Sequence, residues 1–476
     1  MPTLRQKKVC TAALCLILTA APSLAQTFTS LHSFTAADGS NPYAPLIQST
    51  SGKLFGTTSA GGSGGSSGGT VFKVSTTGAL TTVYNFCSLA SCADGTDPRS
   101  PVVQALNGNF YGTSFGGGPF SNPGTIFQLT SGGTLTTLYT FCALSGCTDG
   151  ETPFGGLVQA LNGTLYGATS GGGTHINGTV FSIKTSGGAL TTLYDFCSLS
   201  GCADGESPQG TLIQGTDNSL YGTTFGGGTF TFYGSIFKIT PAGVFTSLHS
   251  FDNSDGSEPV GGLVQAVDGN FYGATQTGGA FGFGTIYKIT SLGTYTILYN
   301  FCMSSSCPDG SFPQDSLIQG TDGNLYGTTL FGGTFGLGTI FSISTGGTFT
   351  TLHSFDSADG SDPWAGLVQD TNGTFYGTTY SGGTSNLGTV YSLSVGLGPF
   401  IKAIPPAAKV GAQVHILGQN LSTTTAVTFN KVSAGFVINS STEVTATVPI
   451  GATSGKIQVT TSSGKLSTYP KFRVTM

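Results

Sequence analysis

The sequence predicts an all-β protein: a seven-bladed β-propeller with four-stranded blades, followed by a small immunoglobulin-like β-sandwich. Three observations support this prediction. One unit recurs with a period of about 50 to 56 residues, each unit holds four strand-like segments, and the array is offset by one strand at its two ends. Aromatic residues make up 11% of the chain and charged residues 8%, and the apolar residues recur at strand spacing, which disfavours a disordered chain.

The repeat is marked by a Tyr-Gly pair at the centre of each unit. Residues 263–301 show one complete unit, LVQAVDGNFYGATQTGGAFGFGTIYKITSLGTYTILYNF. Phe55-Gly56 is a degenerate copy of the pair. The six regular copies begin at Tyr111, Tyr166, Tyr221, Tyr272, Tyr326 and Tyr376.

Four strands follow one another within this unit. The first is LVQA, and the turn Asp268-Gly269 leads to the second, NFYGAT. We expect a two-residue type I′ hairpin there, because an Asp-Gly or Asn-Gly pair between apolar runs is typical of that turn. A Gly-rich loop precedes the third strand, GTIYKIT, and a second Gly turn precedes the fourth, TYTILYNF. These strands are apolar on both faces, so we expect neighbouring units to cover both sides.

The ends of the array predict closure into a ring. Residues 29–34 repeat the fourth strand before any first strand, and residues 388–394 repeat the third strand with no fourth strand after it. In a propeller the N-terminal strand would complete the last blade. The alternative is a β-solenoid, which has no use for this offset and needs caps at its ends.

Strand direction then assigns the connections to two faces. The short Gly turns after the first and third strands would lie on one face. The longer, variable loops after the second and fourth strands would lie on the other, including the segments around residues 61–69, 116–123 and 226–233. Variable loops on a rigid scaffold often bind ligands, so we expect binding on the long-loop face.

The chain is divided into residues 1–25, 26–398 and 399–476 by composition. The first segment resembles a secretory signal peptide, with Arg5, Lys7 and Lys8 before an apolar run and Ser23-Leu24-Ala25 at the cleavage site. Removing these three basic residues changes the net charge from −5 to −8, which argues against nucleic acid as a partner. We expect a secreted protein without membrane insertion; extracellular, cell-surface and periplasmic locations all remain open.

Eight cysteines in the predicted propeller form four pairs of one spacing. Each pair lies in a loop after a fourth strand, and units without cysteine have a loop four residues shorter. This pattern predicts a disulfide within each enlarged loop of an exported chain. Zinc sites are disfavoured because the pairs lie in different units and histidine is scarce. The predicted pairs are Cys87 with Cys92, Cys142 with Cys147, Cys197 with Cys202, and Cys302 with Cys307.

Two family resemblances follow from these motifs. The LVQ, Asn-Gly, YGTT, Gly-Gly and GTIF elements resemble the GloVer tandem repeat of secreted bacterial proteins, a resemblance that implies export and carries no established activity. Residues 399–476, with Ile404-Pro405, Gly418-Gln419-Asn420-Leu421 and Val448-Pro449, resemble an IPT/TIG domain. That resemblance implies a spacer or a protein-contact module.

Candidate site residues are few. One position after each Tyr-Gly motif varies, and its members Phe115, Phe225 and Tyr380, with Trp364 nearby, are predicted ligand-binding residues. Packing between blades is the alternative role for these aromatic residues. An Asp-Gly before proline recurs in every unit, and we read it as a repeated turn. Asp94, Asp149 and Asp204 are calcium candidates under the alternative interpretation.

No catalytic residue, metal or cofactor is predicted. His32, His249 and His353 occupy a repeat position that is tyrosine in other units, which indicates a structural role. The sequence therefore predicts a secreted, non-catalytic binding protein with a glycan or protein ligand at the cell exterior. The alternatives are an extracellular polysaccharide-acting enzyme, a hydrolase or a lyase, which would need paired carboxylates, and a purely architectural role.

Overall fold

The computed structural model describes residues 26–63, 68–118, 123–230 and 232–475. The predicted signal peptide, residues 1–25, lies outside these residues. No helix within them is long and apolar enough to cross a membrane.

Seven four-stranded antiparallel sheets form the repeat region of the described chain. Each sheet begins with a two-residue strand and continues outward through three longer ones. The first strands are β2 (Ile47–Gln48), β6 (Val103–Gln104), β10 (Val158–Gln159), β14 (Ile213–Gln214), β18 (Val264–Gln265), β22 (Ile318–Gln319) and β26 (Val368–Gln369). The second strands are β3 (Leu54–Thr58), β7 (Phe110–Ser114), β11 (Leu165–Thr169), β15 (Leu220–Thr224), β19 (Phe271–Thr275), β23 (Leu325–Thr329) and β27 (Phe375–Thr379).

The outer half of each sheet repeats the same pattern, and the N-terminal strand supplies the missing member. The third strands are β4 (Thr70–Val74), β8 (Thr125–Leu129), β12 (Thr179–Ile183), β16 (Ser235–Ile239), β20 (Thr285–Ile289), β24 (Thr339–Ile343) and β28 (Thr389–Ser394). The fourth strands are β5 (Leu80–Asn85), β9 (Leu135–Thr140), β13 (Thr191–Asp195), β17 (Phe245–Ser250), β21 (Tyr295–Asn300), β25 (Phe349–Ser354) and, in the seventh blade, β1 (Thr27–Ser33). β1 pairs with β28, as the offset of the array predicts.

The sheets are covered on both faces by their neighbours. Every second strand is fully buried, and one apolar cluster fills each of the seven seams between consecutive blades. The glycine of the Tyr-Gly motif belongs to this packing: a Cβ on Gly112 would lie 2.6 Å from Cζ of Phe127 on the next strand. The motif therefore leaves room for the aromatic residue of GTIF.

A ring of glutamines links the blades. The side-chain Oε1 of Gln104 accepts a hydrogen bond from the backbone N–H of Thr50 in the preceding blade, at 2.8 Å. The same bond recurs around the ring, and Gln48 closes it by accepting from the N–H of Thr371 at 3.2 Å. The repeated LVQ motif thus supplies the glutamine that joins each blade to the previous one. The other five acceptors are Gln159, Gln214, Gln265, Gln319 and Gln369.

The predicted two-residue type I′ turn is wrong. Between β18 and β19 the N–H of Gly269 donates to the carbonyl of Ala266, and only Gly269 of the Asp268-Gly269 pair has a positive φ. The connection is therefore a three-residue loop in which the glycine takes the left-handed conformation. This geometry leaves the Asp268 carboxylate free to accept a hydrogen bond from the Tyr272 hydroxyl at 2.7 Å.

The C-terminal region is a small β-sandwich of two four-stranded sheets and one parallel strand pair, as predicted. Its core contains Val414, Ile416, Val427, Phe429 and Val459. The strands are β29 (Lys402–Ile404), β30 (Ala407–Lys409), β31 (Gln413–Leu417), β32 (Ala426–Phe429), β33 (Val432–Ala434), β34 (Phe436–Ile438), β35 (Glu443–Thr447), β36 (Ile457–Thr461), β37 (Gly464–Ser467) and β38 (Arg473–Thr475). Short 3-10 turns lie at Ala90–Cys92, Ser145–Cys147, Ser200–Cys202 and Leu421–Thr423.

This sandwich contacts the short-turn face of the propeller. Thr442 Oγ1 donates to the carbonyl of Thr50 at 3.1 Å, and the Gln419 amide donates to the carboxylate of Asp370, also at 3.1 Å. Arg473 donates to the Asn218 side chain at 3.2 Å. Since these acceptors lie in the turns after first strands of blades one, seven and four, the sandwich spans the turns around the propeller axis.

Candidate functional site

The long segments of each blade meet on the opposite face, as strand direction predicts. The connection that follows each fourth strand forms an antiparallel bridge with the loop after the next second strand, as Thr96 does with Gly116. Each connection ends in a proline preceded by a residue in the left-handed region, with φ between 51° and 58°. Such backbone is costly for residues other than glycine and often occurs at binding sites. These residues are Asn41, Asp97, Thr152, Ser207, Glu258, Phe312 and Asp362.

The residue after each of these prolines reaches the propeller axis. All seven line one pocket of about 220 Å³, which we call the axial pocket. A pocket lined by all seven blades must lie on the axis. Although the scaffold repeats, these seven side chains differ in size and chemistry. In blade order they are Tyr43, Arg99, Phe154, Gln209, Val260, Gln314 and Trp364.

One side of the axial pocket is aromatic. The rings of Tyr43 and Trp364 stack with centroids 4.9 Å apart, and Phe154 meets Tyr43 edge-on at 5.5 Å. All three side chains are only partly buried. Blades seven, one and three therefore present ring surface to the pocket.

The other side of the pocket is polar. Blades four and six contribute Gln209, Gln314 and Asp315. Gln314 is 3% exposed, and its Oε1 has no hydrogen-bond partner within the described chain. The carboxylate of Asp315 accepts hydrogen bonds from the backbone N–H groups of Gly366, at 2.8 Å, and Ser316, at 2.5 Å. These three side chains place two amides and one carboxylate in the lining of the pocket.

Arg99 is held at the rim of the pocket. Its guanidinium pairs with the Asp97 carboxylate at 2.6 Å and lies 4.0 Å from the ring centroid of Phe115. It is also 5.9 Å from the rings of Tyr43 and Phe154. The charge of Arg99 is thus already compensated by a carboxylate and a ring face.

Burial changes the acid–base properties of two pocket residues. Desolvation raises the pKa of the Tyr43 hydroxyl above its usual range, although the nearby Arg99 opposes this rise. Desolvation also raises the pKa of the Asp315 carboxyl, and its two backbone hydrogen bonds oppose the effect. Asp315 is therefore a partly buried acid whose charged form is stabilised by hydrogen bonds but by no ion pair within the described residues.

The predicted ligand-binding residues lie in different places relative to the pocket. Trp364 lines it. Phe115 and Tyr380 pack behind the lining, Phe115 against Arg99 and Tyr380 6.2 Å from Tyr43. Phe225 occupies the equivalent position in blade four, half-buried and outside the lining. The structure thus gathers three of the four on the aromatic side and leaves Phe225 apart.

The calcium candidates Asp94, Asp149 and Asp204 lie buried within their own loops. Asp149 accepts hydrogen bonds from the Tyr139 hydroxyl at 2.7 Å and from the N–H of Ala143 at 2.9 Å. Asp94 and Asp204 accept equivalent bonds from Tyr84 and Tyr194. Hydrogen bonds from the loop therefore already occupy these carboxylates, as in the repeated-turn interpretation.

The four predicted disulfides are present, each within one enlarged loop. They join Cys87 to Cys92, Cys142 to Cys147, Cys197 to Cys202, and Cys302 to Cys307. The N–H of the second cysteine also donates to a carbonyl inside the loop, as that of Cys307 does to Ser304 at 2.9 Å. The disulfide and this hydrogen bond therefore close the same short turn.

These cysteines do not form metal sites. Glu151 and Glu206 lie close to two of the disulfides, an arrangement that would place three potential ligands, two thiols and one carboxylate, together if the thiols were free. Because both sulfurs of each pair are bonded to one another, neither can act as a thiolate ligand to a metal.

Sequence reasoning missed most of the pocket. Tyr43, Arg99, Phe154 and Gln314 were not singled out, and neither was Asp315. A signal was available: after each repeated proline the sequence varies freely, and Asp315 stands where the other blades have small residues. Those residues are Ala44, Ser100, Gly155, Gly210, Gly261 and Ala365.

The fold and the pocket define a class: a seven-bladed β-propeller with a mixed aromatic and polar pocket on its axis, joined to an immunoglobulin-like sandwich. The family model of the Gloeobacter/Verrucomicrobia repeat matches residues 17–160, 143–319 and 303–415, which together span 17–415. The chain therefore belongs to this repeat family, and the resemblance found in its motifs is confirmed. The IPT/TIG domain matches residues 399–474.

Solved structures resemble the chain at low sequence identity. The PQQ-bound aldose sugar dehydrogenase of Streptomyces coelicolor is 12% identical, with a TM-score of 0.41 over 79% of this chain and 99% of that one. A gluconolactonase of Xanthomonas campestris is 14% identical, with a TM-score of 0.35 over 57% and 78%. A chain of a nidogen/laminin complex is 14% identical, with a TM-score of 0.35 over 56% of this chain and 85% of that one. Similarity at this level carries no information about ligand or activity. No curated protein matches the chain.

Proposed function

We propose that this is a secreted, non-catalytic glycan-binding protein that takes a sugar residue into the axial pocket. The single observation that carries the proposal is the two-sided pocket. The rings of Tyr43, Phe154 and Trp364 line one side, and the side chains of Gln209, Gln314 and Asp315 line the other. A pyranose is complementary to such a pocket, because its C–H groups pack on aromatic rings while its hydroxyls hydrogen-bond to amides and carboxylates.

The size of the pocket supports a sugar rather than a folded protein as the ligand. A volume of about 220 Å³ accepts one ring-sized group. A stable protein–protein interface buries roughly 800 Å² on each partner, which is a broad surface rather than a narrow pocket. One residue of a glycan chain would enter the pocket, and the rest of the chain would run across the loops of the long-loop face.

The cellular setting follows from the loops and the N-terminal sequence. Four disulfides within short surface loops are typical of an oxidising compartment. The basic and apolar start of residues 1–25 has the order of a secretory signal peptide. Both features support a protein that acts outside the cytoplasm, where polysaccharides are exposed.

The enzyme alternative has less support. Hydrolysis of a glycosidic bond by the common mechanism needs two carboxylic acids facing one bond. Among the described lining residues Asp315 is the one carboxylic acid. Asp97, which lies two residues before the lining residue Arg99, is paired with it. Binding without turnover is therefore the better account of this pocket.

The test is a glycan array probed with residues 26–476, followed by titration calorimetry of the best ligand. We expect Trp364→Ala to weaken binding roughly 5- to 30-fold, because stacking and ring burial contribute roughly 1 to 2 kcal/mol. Phe225→Ala is the matched control, since it removes a half-buried aromatic residue from a loop of the same face.

Equal weakening by both substitutions, or no binding to any glycan, would overturn the proposal. Chromatography of the ligand after long incubation separates binding from catalysis. An unchanged ligand is expected, whereas shortened chains that disappear with Asp315→Asn would establish the enzyme instead.

A further inference from the structure

The axial pocket contains one buried hydrogen-bond acceptor without a donor, on Gln314, and the carboxylate of the next residue, Asp315; we call these two groups the floor of the pocket. Oε1 of Gln314 is buried and unpartnered, and the amide of the same residue is directed to the carbonyl of Phe312 at 3.4 Å. The Asp315 carboxylate also lines the pocket and accepts hydrogen bonds from the backbone N–H groups of Ser316 and Gly366. Leaving a buried acceptor without a donor is unfavourable, so a ligand that supplies a donor here is favoured.

No cation of the described chain neutralises Asp315. The ion pairs among the described residues do not involve the Asp315 carboxylate. Arg99, the basic residue in the lining, is already paired with Asp97 and stacked on Phe115. The repeated scaffold does not require an acid at this position, because six other blades place alanine, serine or glycine there. Asp315 is thus a partly buried carboxylate that makes no ion pair with the described residues.

The aromatic side of the pocket favours a cation as well. The stacked pair of Tyr43 and Trp364 and the edge-on Phe154 present electron-rich rings within the same small volume. Such rings attract an ammonium group, and the attraction grows when water is excluded. An ammonium supplies three N–H donors, whereas a hydroxyl supplies one. It would satisfy both floor acceptors and neutralise the carboxylate together.

We propose that the group seated at the floor of the axial pocket is a protonated primary amine. The ligand would therefore be a glycan that contains amino sugars without N-acetyl groups. This inference rests on the proposed function and names the sugar class of the same pocket. An N-acetyl group would replace the charge and two of the three donors, and a neutral hexose would leave Asp315 without a counter-ion.

The experiment compares three tetrasaccharides with the same β-1,4 backbone, which differ only at carbon 2. They carry a hydroxyl, an amine and an acetamide: the oligomers of glucose, glucosamine and N-acetylglucosamine. Calorimetry with residues 26–476 at about pH 6, where the amine is protonated, should show the glucosamine oligomer binding at least about tenfold more tightly than the other two.

Two variants at one position test the role of the charge. Asp315→Asn keeps the shape of the side chain, and Asp315→Ala copies the residue that two other blades hold there. Both should weaken binding of the glucosamine oligomer at least about tenfold more than binding of the glucose oligomer, and so remove the preference for the amine. Unchanged melting temperatures would show that both variants fold.

The outcomes separate the two proposals. Equal affinity for all three oligomers, or preference for the acetylated one, would overturn the amine inference while glycan binding stands. Equal losses for all three oligomers in Asp315→Asn would also overturn it, because the charge would then not select the amine. Absence of binding to all three and to the glycan array would overturn both proposals.

Discussion

At the residue scale, one aspartate in each blade closes the connection to the next blade, and its partner is either tyrosine or histidine. The Tyr84 hydroxyl donates to Asp94 at 2.8 Å, and Nε2 of His249 lies 2.8 Å from the Asp255 carboxylate. Tyrosine accompanies the disulfide loops and histidine accompanies the short loops. The alternation of tyrosine and histidine at this position is therefore structural, because the tyrosine hydroxyl and the histidine Nε2 both reach the equivalent aspartate of their blade.

Removing one of these carboxylates tests its structural role. We expect Asp149→Ala to destabilise its blade by about 2 to 3 kcal/mol, because buried donors from Tyr139, Ala143 and Leu144 lose their acceptor. The melting temperature should fall by a few degrees. Calcium and EDTA should leave the wild-type melting temperature unchanged. A loss of stability in EDTA that is absent in Asp149→Ala would instead support a metal site.

The residue scale also shows why the site was only partly predictable. Trp364 was predicted from its type and its loop, but nothing local to Tyr43 indicates that it stacks on a residue more than 300 positions away. That contact exists because the ring closes and brings blade one beside blade seven. Asp315 is visible only as a departure from its six counterparts, and its burial depends on the pocket around it.

At the scale of elements, the strands and their closure follow from the sequence, whereas the turns do not. The apolar pattern predicts four strands in each blade and the exchange of β1 with β28. The predicted turn type was wrong because the Asp-Gly and Asn-Gly pairs also make a tertiary contact, which the local hairpin pattern does not reveal. Their side chains bond to the tyrosine of the Tyr-Gly motif, as Asn107 does to Tyr111 at 2.8 Å.

The junction between β26 and β29 gives a pH-dependent prediction. The Lys402 ammonium lies in a cleft between the propeller and the sandwich and donates to the carbonyl of Gln369. Burial lowers its pKa from 10.5 to about 8, although Asp370 opposes the shift. The folded state therefore disfavours the charged form, and this cost is fully present below about pH 8. Between pH 8 and 10.5 the folded lysine is neutral while the unfolded one is still charged, so the cost falls as the pH rises.

Lys402→Met keeps the length of the side chain and removes the charge. The unfolding free energy of this variant should exceed that of the wild type most near about pH 7, and the difference should vanish by about pH 10. Denaturant unfolding of both proteins across this range measures the difference. Lys409→Met, at an exposed position of the same domain, is the control and should give a flat difference. A flat or rising advantage for Lys402→Met would contradict the account.

At the scale of the whole molecule, a repeated scaffold supports a site that is not repeated. Glutamine bonds and apolar seams recur around the ring, so each blade is held in the same way. The residue after each proline is outside these contacts and is free to vary. The two faces also have different roles: the sandwich covers the turns around the axis on one face, and the axial pocket lies among the long loops of the other.

A crystal structure of residues 26–476 with the tightest ligand from the glycan array would show directly whether the axial pocket binds a sugar residue. We expect one sugar ring in the axial pocket, with its C–H face on Tyr43 and Trp364 and its polar groups toward Gln314 and Asp315. A glycan bound instead at Phe225, on the outer loops or on the C-terminal sandwich would contradict the account.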